Sequence, residues 1–262
     1  MRTNFERVYV TAHDEVAVLT LNHPEVMNAI SLELVEGLGK ALSHSEENRG
    51  FRAIVLTGEG RGFCSGANLS GPDLGSGSRD AGSVLETHFH PLLRRLRDLN
   101  IPLVTAVNGA AAGVGMSLAL MGDIILAARS AYFLQAFARI GLVSDGGSTW
   151  LLPRLIGLAR ARELSMLAEK LPAEQALQWG LINRVCDDAS LMDDALAMAV
   201  RLAQGPASLA LIRRLYWQSP ENSYEAQINE ERQAQRHAGR SRDFFEGVQA
   251  FLQKRPAKFT GQ

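Results

Sequence analysis

The run Asn108-Gly109-Ala110-Ala111-Ala112-Gly113-Val114-Gly115-Met116 follows an apolar strand pattern, Leu103-Val104-Thr105-Ala106-Val107, and leads into a helical one. Small residues at a strand-to-helix turn let the backbone approach a ligand, and the first helical N–H groups have no partner within the helix. The helix dipole adds partial positive charge at the same point. Negative charge developing on a carbonyl oxygen would be stabilised there, which is half of an oxyanion hole. A second strand pattern, Ala53-Ile54-Val55-Leu56-Thr57-Gly58, runs into Gly60-Arg61-Gly62-Phe63-Cys64-Ser65-Gly66-Ala67-Asn68-Leu69 and offers another backbone donor around Ala67. Either run alone reads equally well as a tight turn with close packing. Two such donors can converge on one oxygen.

Strands and helices in alternation must hold these turns. Phe5 to Val10 and Val16 to Leu21 alternate as strands about Asp14-Glu15, predicting an opening hairpin. Ser31 is a predicted cap for a helix with Leu34, Val35, Leu38 and Leu42 on one face. Leu85, Phe89, Leu92, Leu93, Leu96 and Leu99 form one helical stripe up to Pro102, a core face by default. A strand follows at Ile124–Ala128, and the alternation continues through Trp179–Val185, giving an α/β chain. From about Asp188 the pattern is helical only. The last helix carries Phe244, Phe245, Val248, Phe251 and Leu252, more aromatic surface than a helical tail buries alone, so packing against neighbouring subunits is expected. No fixed-period repeat is visible.

A chain of 262 residues with 46% apolar content can bury one large core. A net charge of −1 provides no global basic field for nucleic acid or an anionic membrane, so neither is expected as a partner. Cys64 and Cys186 have no metal or redox spacing and make no disulfide framework, and the histidines show no metal-ligand spacing. No apolar leader and no run of about 18 apolar residues occur, so a cytoplasmic protein is expected.

The chain resembles the crotonase, or enoyl-CoA hydratase/isomerase, family. The resemblance rests on Leu21-Asn22-His23-Pro24, Met27-Asn28-Ala29, Gly62 through Leu69, Val107-Asn108-Gly109 with Gly113-Val114-Gly115, and Ile140-Gly141-Leu142 through Gly157. It extends to Phe251-Leu252-Gln253-Lys254-Arg255. It implies a spiral of ββα units over residues 1–200 and a C-terminal helical region, 201–262, that builds homotrimers or dimers of trimers. It also implies an acyl-CoA thioester substrate, with coenzyme A belonging to the substrate and no separate cofactor or metal. The backbone N–H groups of Ala67 and Val114 would hold the thioester oxygen and stabilise an enolate, each such donor being worth about 3–4 kcal/mol in other enzymes. Val114, where relatives often carry Gly or Ala, narrows the approach without removing a donor. Coenzyme A contacts are implied around Met27, Asn28 and Ala29 and around Asn68 and Leu69, with Asn68 standing where relatives usually have Asp. Lys254, from a neighbouring subunit, is a candidate for the phosphates; a solvated lysine at a helix end is the alternative.

Hydratases of the family carry two glutamates that hold a water. Those positions fall at Ser117 and Phe137, and neither is acidic, so ordinary hydration is not expected. An acid does stand at Asp145. Taken alone it reads as a helix N-cap; within the family, an acid in this loop marks isomerases or dehalogenases. The strings Gly60–Cys64, Ala127–Ala131 and Asp145 with Thr149-Trp150-Leu151-Leu152-Pro153-Arg154 are similar to those of ring-1,2-epoxyphenylacetyl-CoA isomerases, enzymes of phenylacetate breakdown that also shift enoyl double bonds. That likeness implies an isomerase with Asp145 as proton shuttle and Phe137 lining an apolar pocket. The helix N-terminus would lower the Asp145 pKa and apolar neighbours would raise it. His90 is either a satisfied histidine on the 85–99 helix or, as in 4-chlorobenzoyl-CoA dehalogenases, a base for water. The indole those enzymes place at position 137 is missing here. A hydratase and a non-catalytic acyl-CoA-binding member complete the alternatives. The Gly/Ser-rich segment at 71–82 reads as a connector or as a lid over the acyl pocket.

Overall fold

The chain opens with β1 (Arg2–Phe5), β2 (Val8–His13) and β3 (Val16–Leu21), an antiparallel meander, in a computed structural model that describes residues 2–48, 50–68 and 80–262. The expected hairpin of β2 and β3 forms. The single strand expected over Phe5–Val10 does not, because the chain turns at Glu6-Arg7 and Phe5 pairs with Val8. Arg7 takes a left-handed conformation (φ 53°). At this turn Glu6 pairs with Lys40 (2.7 Å) and Arg7 with Glu33 (3.2 Å). Both partners lie on α1 (Leu32–Glu47), which Ser31 caps as expected, its Oγ accepting from the Leu34 N–H at 3.3 Å.

Two strands per unit follow, one to each of two sheets. β4 (Ala53–Gly58) is succeeded by β5 (Gly62–Cys64), then by the helical stretch α2 (Ala81–Val84) and α3 (His90–Arg97). β6 (Leu103–Val107) is succeeded by β7 (Ala110–Ala112) and α4 (Val114–Ala119). β8 (Ile124–Ala128) is succeeded by β9 (Tyr132–Leu134). The remaining elements are α5 (Ser148–Ile156), α6 (Leu158–Leu167), β10 (Leu171–Pro172), α7 (Ala173–Trp179), β11 (Arg184–Cys186), α8 (Leu191–Ala203), α9 (Ser208–Gln218), α10 (Tyr224–Ala238) and α11 (Arg242–Leu252). The large sheet runs β1-β2-β3-β4-β6-β8-β11, parallel from β3 onward, and the small sheet runs β10-β9-β7-β5. β4, β6 and β8 begin at residues 53, 103 and 124, so unequal insertions hide the repeat in the sequence.

β5 and β7 correct the sequence pattern, which reads both segments as part of glycine-rich turns. Ala110–Ala112 are nearly or wholly buried, and side chains this small let a short strand lie inside the fold. The helical stripe is also not one regular helix: Leu85–Phe89 form a π turn between α2 and α3. Pro91 has no N–H to give, and its ring would press on the preceding turn, so the helix widens and the His90 N–H reaches back to Leu85 O.

The C-terminal helices are tied to the sheets by buried polar groups. Arg213 on α9 pairs with Asp123 at 2.8 Å and donates to the carbonyls of Leu96 (2.6 Å), Arg97 and Leu99 (3.2 Å) at the end of α3. Asp123 also accepts from the Leu103 N–H at 2.8 Å, where β6 starts. Asp243 on α11 accepts from the N–H groups of Ala207 (2.8 Å), Thr260 (2.7 Å) and Gly261 (2.9 Å), pinning the final segment. Among the described residues no single helix is long and apolar enough to cross a membrane.

Arg213→Ala leaves Asp123, whose side chain is 24% accessible, and three carbonyls without their buried cation. Breaking a buried pair from one side costs about 3–5 kcal/mol, so the urea midpoint should fall by a correspondingly large margin. A midpoint equal to that of the parent would refute this account of how α9 is held.

Candidate functional site

β5 and β7 are parallel neighbours in the small sheet, with Gly62 opposite Ala110 and Cys64 opposite Ala111. Parallel strands end at the same edge, so the turns after them meet. The chain after β5 is fixed by a bridge in which the Ile30 N–H donates to Gly66 O (2.7 Å) and the Asn68 N–H to Ile30 O (2.9 Å). In a parallel bridge of this kind the bridged residue, Ala67, points its own N–H away from Ile30. The chain after β7 is fixed by Gly113, whose N–H donates to Leu134 O at 2.8 Å. Gly113 takes φ 52° and ψ −129°, a conformation essentially closed to residues with a Cβ, and α4 begins at Val114. The Met116 and Ser117 N–H groups fold back onto Gly113 O, leaving Val114 among the orphan donors of the first turn. A Cβ placed on Gly66 would lie 3.0 Å from Ala112 O and 3.9 Å from the Gly113 Cα, so the two turns touch. With six residues, α4 contributes little dipole; the free N–H groups are what the turn offers.

β9 is the next strand of the small sheet, and its end delivers Gln135 and Phe137 to the same edge. The Phe137 ring is buried and reaches the Gly113 turn, its Cζ 3.7 Å from where a Gly113 Cβ would be. Gln135 is fully buried, with Nε2 on Met116 Sδ at 3.3 Å and Oε1 without a partner among the described residues. Neither the Gln135 amide nor the pairing of β5 with β7 was readable as part of a site from the sequence pattern.

Asp145 lies in the loop between Gly141 and α5. The N-cap of α5 is Gly147, so Asp145 is not the helix cap that its position suggests. Its main-chain carbonyl accepts from Ser148 Oγ (2.7 Å), the Ser148 N–H (3.1 Å) and Ser117 Oγ (3.1 Å). Its carboxyl Oδ1 is buried with no partner among the described residues. Burial pushes the carboxyl up to about 6, so of the two opposing influences expected from the sequence, desolvation wins. Ser117, one of the two water-holding positions of hydratases, is fully buried and binds the Asp145 backbone instead. The following residue, Gly146, packs on Ser117 and within 3.5 Å of Val114 Cγ2 as measured from a built Cβ, so the acid loop adjoins the Val114 turn.

His90 is half-buried and lines a cleft of about 690 Å³ with Leu93, Gly146, Gly147, Trp150 and Trp217, which places it beside the acid loop. Trp150 and Trp217 stack across it, 6.0 Å between centroids and 10° between planes, joining α5 to α9. A second cleft of about 730 Å³ lies among α9, α10 and α11 and contains none of the predicted site residues.

Asn28 is fully buried and its amide is spent within the fold, donating to Glu59 O (3.0 Å) and Gly62 O (2.8 Å) and accepting from the His23 N–H (2.8 Å). Met27 and Asn28 both take left-handed conformations (φ 51° and 55°), and the Met27 carbonyl accepts from the Ser65 N–H at 2.9 Å. The segment Met27–Ala29 therefore braces the Ala67 turn through its backbone. Asn68 is half-buried on that turn; Leu69 and the larger part of the 71–82 segment lie outside the described residues. Lys254 is exposed at the C-terminal end of α11.

Residues 11–262 match the family described as enoyl-CoA hydratase/isomerase. The chain is 45% identical over 259 residues to 1,2-epoxyphenylacetyl-CoA isomerase of Escherichia coli (strain K12), covering 97% of this chain and 99% of that one. It is also 45% identical over 251 residues to a probable enoyl-CoA hydratase of Rhodobacter capsulatus, covering 94% and 95%. A crystal structure of an enoyl-CoA hydratase from Polaromonas sp. JS666 superposes with a TM-score of 0.90 at 34% identity, covering 97% of this chain and 99% of that one.

A carboxyl raised from 3.8 to about 6 holds its proton more tightly in the folded state than in the unfolded chain. Its ionisation therefore weakens the fold progressively as pH rises between those two values, and the penalty is complete above the upper one. Asp145→Asn keeps the shape and removes the charge, so its Tm should exceed the parent's at about pH 8, with the gap closing toward about pH 4. A gap that stays constant across that range would show that Asp145 is not desolvated.

Proposed function

The chain belongs to the enoyl-CoA hydratase/isomerase family, and we propose that it is an acyl-CoA isomerase acting on a straight-chain or phenylacetate-derived thioester. The observation that carries the proposal is the buried Asp145 Oδ1, without a partner among the described residues and beside the Val114 turn, where both water-holding glutamates are absent. The thioester oxygen accepts from the backbone N–H groups of Ala67 and Val114, and the charge of the enolate accumulates there. The Asp145 carboxylate removes a proton from the carbon next to the thioester carbonyl. The double bond shifts as the same proton is returned to the far end of the dienolate. One acid suffices, because the proton removed is the proton delivered. Phe137 keeps water from the enolate, and no separate cofactor or metal is needed.

Coenzyme A is proposed to lie against the backbone of Met27, Asn28 and Ala29 and against Asn68 and Leu69, with Lys254 of a neighbouring subunit at its phosphates. The exposed face of α11, where Phe251 is 83% and Leu252 74% accessible, supports assembly of residues 201–262 into a homotrimer or a dimer of trimers. The presence of His90 in the cleft beside Gly146 supports a second reading, a dehalogenase-like hydrolase in which Asp145 attacks a halobenzoyl ring and His90 activates water.

A panel of 3-enoyl-, ring-epoxy-, 4-chlorobenzoyl- and crotonyl-CoA separates the possibilities. Robust 3-enoyl turnover is expected, with negligible 3-hydroxyacyl-CoA from crotonyl-CoA. Asp145→Asn should lower turnover at least about a hundredfold. Since the carboxylate is the base, kcat/KM should rise with pH through about 6 and level off above it. Unchanged turnover in Asp145→Asn, or rapid hydration of crotonyl-CoA, would end the proposal; release of chloride would move the assignment to the hydrolase.

A further inference from the structure

Ser117 sits in the middle of α4 with no exposed surface, and its Oγ donates to the Asp145 carbonyl at 3.1 Å. That oxygen also takes Ser148 Oγ at 2.7 Å and the Ser148 N–H at 3.1 Å. Three donors on one carbonyl leave the Asp145 backbone little freedom to rotate, while its carboxyl Oδ1 has no partner among the described residues. The two serines come from different elements, so the loop is held from the α4 side and the α5 side at once.

Gly146 follows at φ +60°, and a Cβ built there would lie 2.7 Å from Ser117 Cβ and 2.8 Å from Ser117 Oγ, so the loop backbone lies close against Ser117. We propose that Ser117 is the positioning residue of Asp145. The proposal rests on Asp145 being the proton shuttle, although the contact itself does not.

Two variants test it: Ser117→Ala and Asp145→Asn. In Ser117→Ala, kcat on a 3-enoyl-CoA should fall about tenfold or more while KM stays within about threefold, because a misplaced acid slows chemistry without weakening thioester binding. The crystal structure of Ser117→Ala should show the Asp145 carbonyl displaced by about 1 Å or more. An unmoved Asp145 in Ser117→Ala, or parental kcat there when Asp145→Asn is inactive, would overturn the positioning role. If Asp145→Asn is itself fully active, the shuttle falls, and the structure of Ser117→Ala still decides whether the clamp exists.

Discussion

The parallel pairing of β5 with β7 is the constraint on which the site depends. Parallel strands finish at one edge, so the turn carrying Ala67 and the turn carrying Val114 are brought side by side with Gly66 against Gly113. An antiparallel pair would put them at opposite ends. β9 adds Phe137 to the same edge for the same reason, since it pairs with β7 in parallel. The small sheet tolerates only small or flat contributions at this point. A Cβ on Gly115 would be 2.3 Å from Cys64 O, so α4 lies directly on β5 and carries the Val114 turn with it. Position in the sheet, rather than any side chain, aims both donors.

The buried aspartates show how differently one residue type is treated in this fold. Burial would raise Asp243, but the N–H groups of Thr260, Ala207 and Gly261, with Arg52 nearby, outweigh it and hold the carboxyl below its usual range. Asp145 has the burial, its Oδ1 finds no donor among the described residues, and the carboxyl rises to about 6. Asp123 lies between: burial raises it, and Arg213 with the Leu103 N–H offsets that only in part. A satisfied carboxylate is a structural anchor. An unsatisfied one near neutrality can take and return a proton, which is the property proposed for Asp145.

The sequence makes the large sheet and the capped first helix legible, because long apolar runs and Ser31 obey simple local rules. It also exposes the two donor turns, through glycine and alanine at strand ends. It hides β5 and β7, because strands of only three residues set among glycines look like turns. It hides the π turn too, which depends on where Pro91 falls relative to Thr87. Asp145 is visible as an acid but not as an unpartnered one, since its pKa follows from packing by residues distant in the chain. Ser117 is the clearest loss: as a letter it registers only as a missing glutamate, and its hydrogen bond to a loop 28 residues away appears only in three dimensions.

An acid on a loop, as Asp145 is, is less rigidly placed than one at a strand end, and the fold answers this through a chain of contacts. The Asp145 carbonyl is bound to Ser148, the first residue of α5. Trp150 on α5 stacks on Trp217 of α9, and the guanidinium of Arg154 lies over the Trp150 ring at 4.1 Å. α9 in turn is anchored by Arg213 to Asp123 and to the end of α3, the helix that carries His90. Asp123 binds the start of β6, the strand that leads through β7 to the Val114 turn. The loop carrying Asp145 and the Val114 turn are thus joined by one circuit of contacts that passes through the C-terminal helices. A helical region that looks like an appendage to the sheets is, by this route, part of what sets the distance between Asp145 and the Val114 turn.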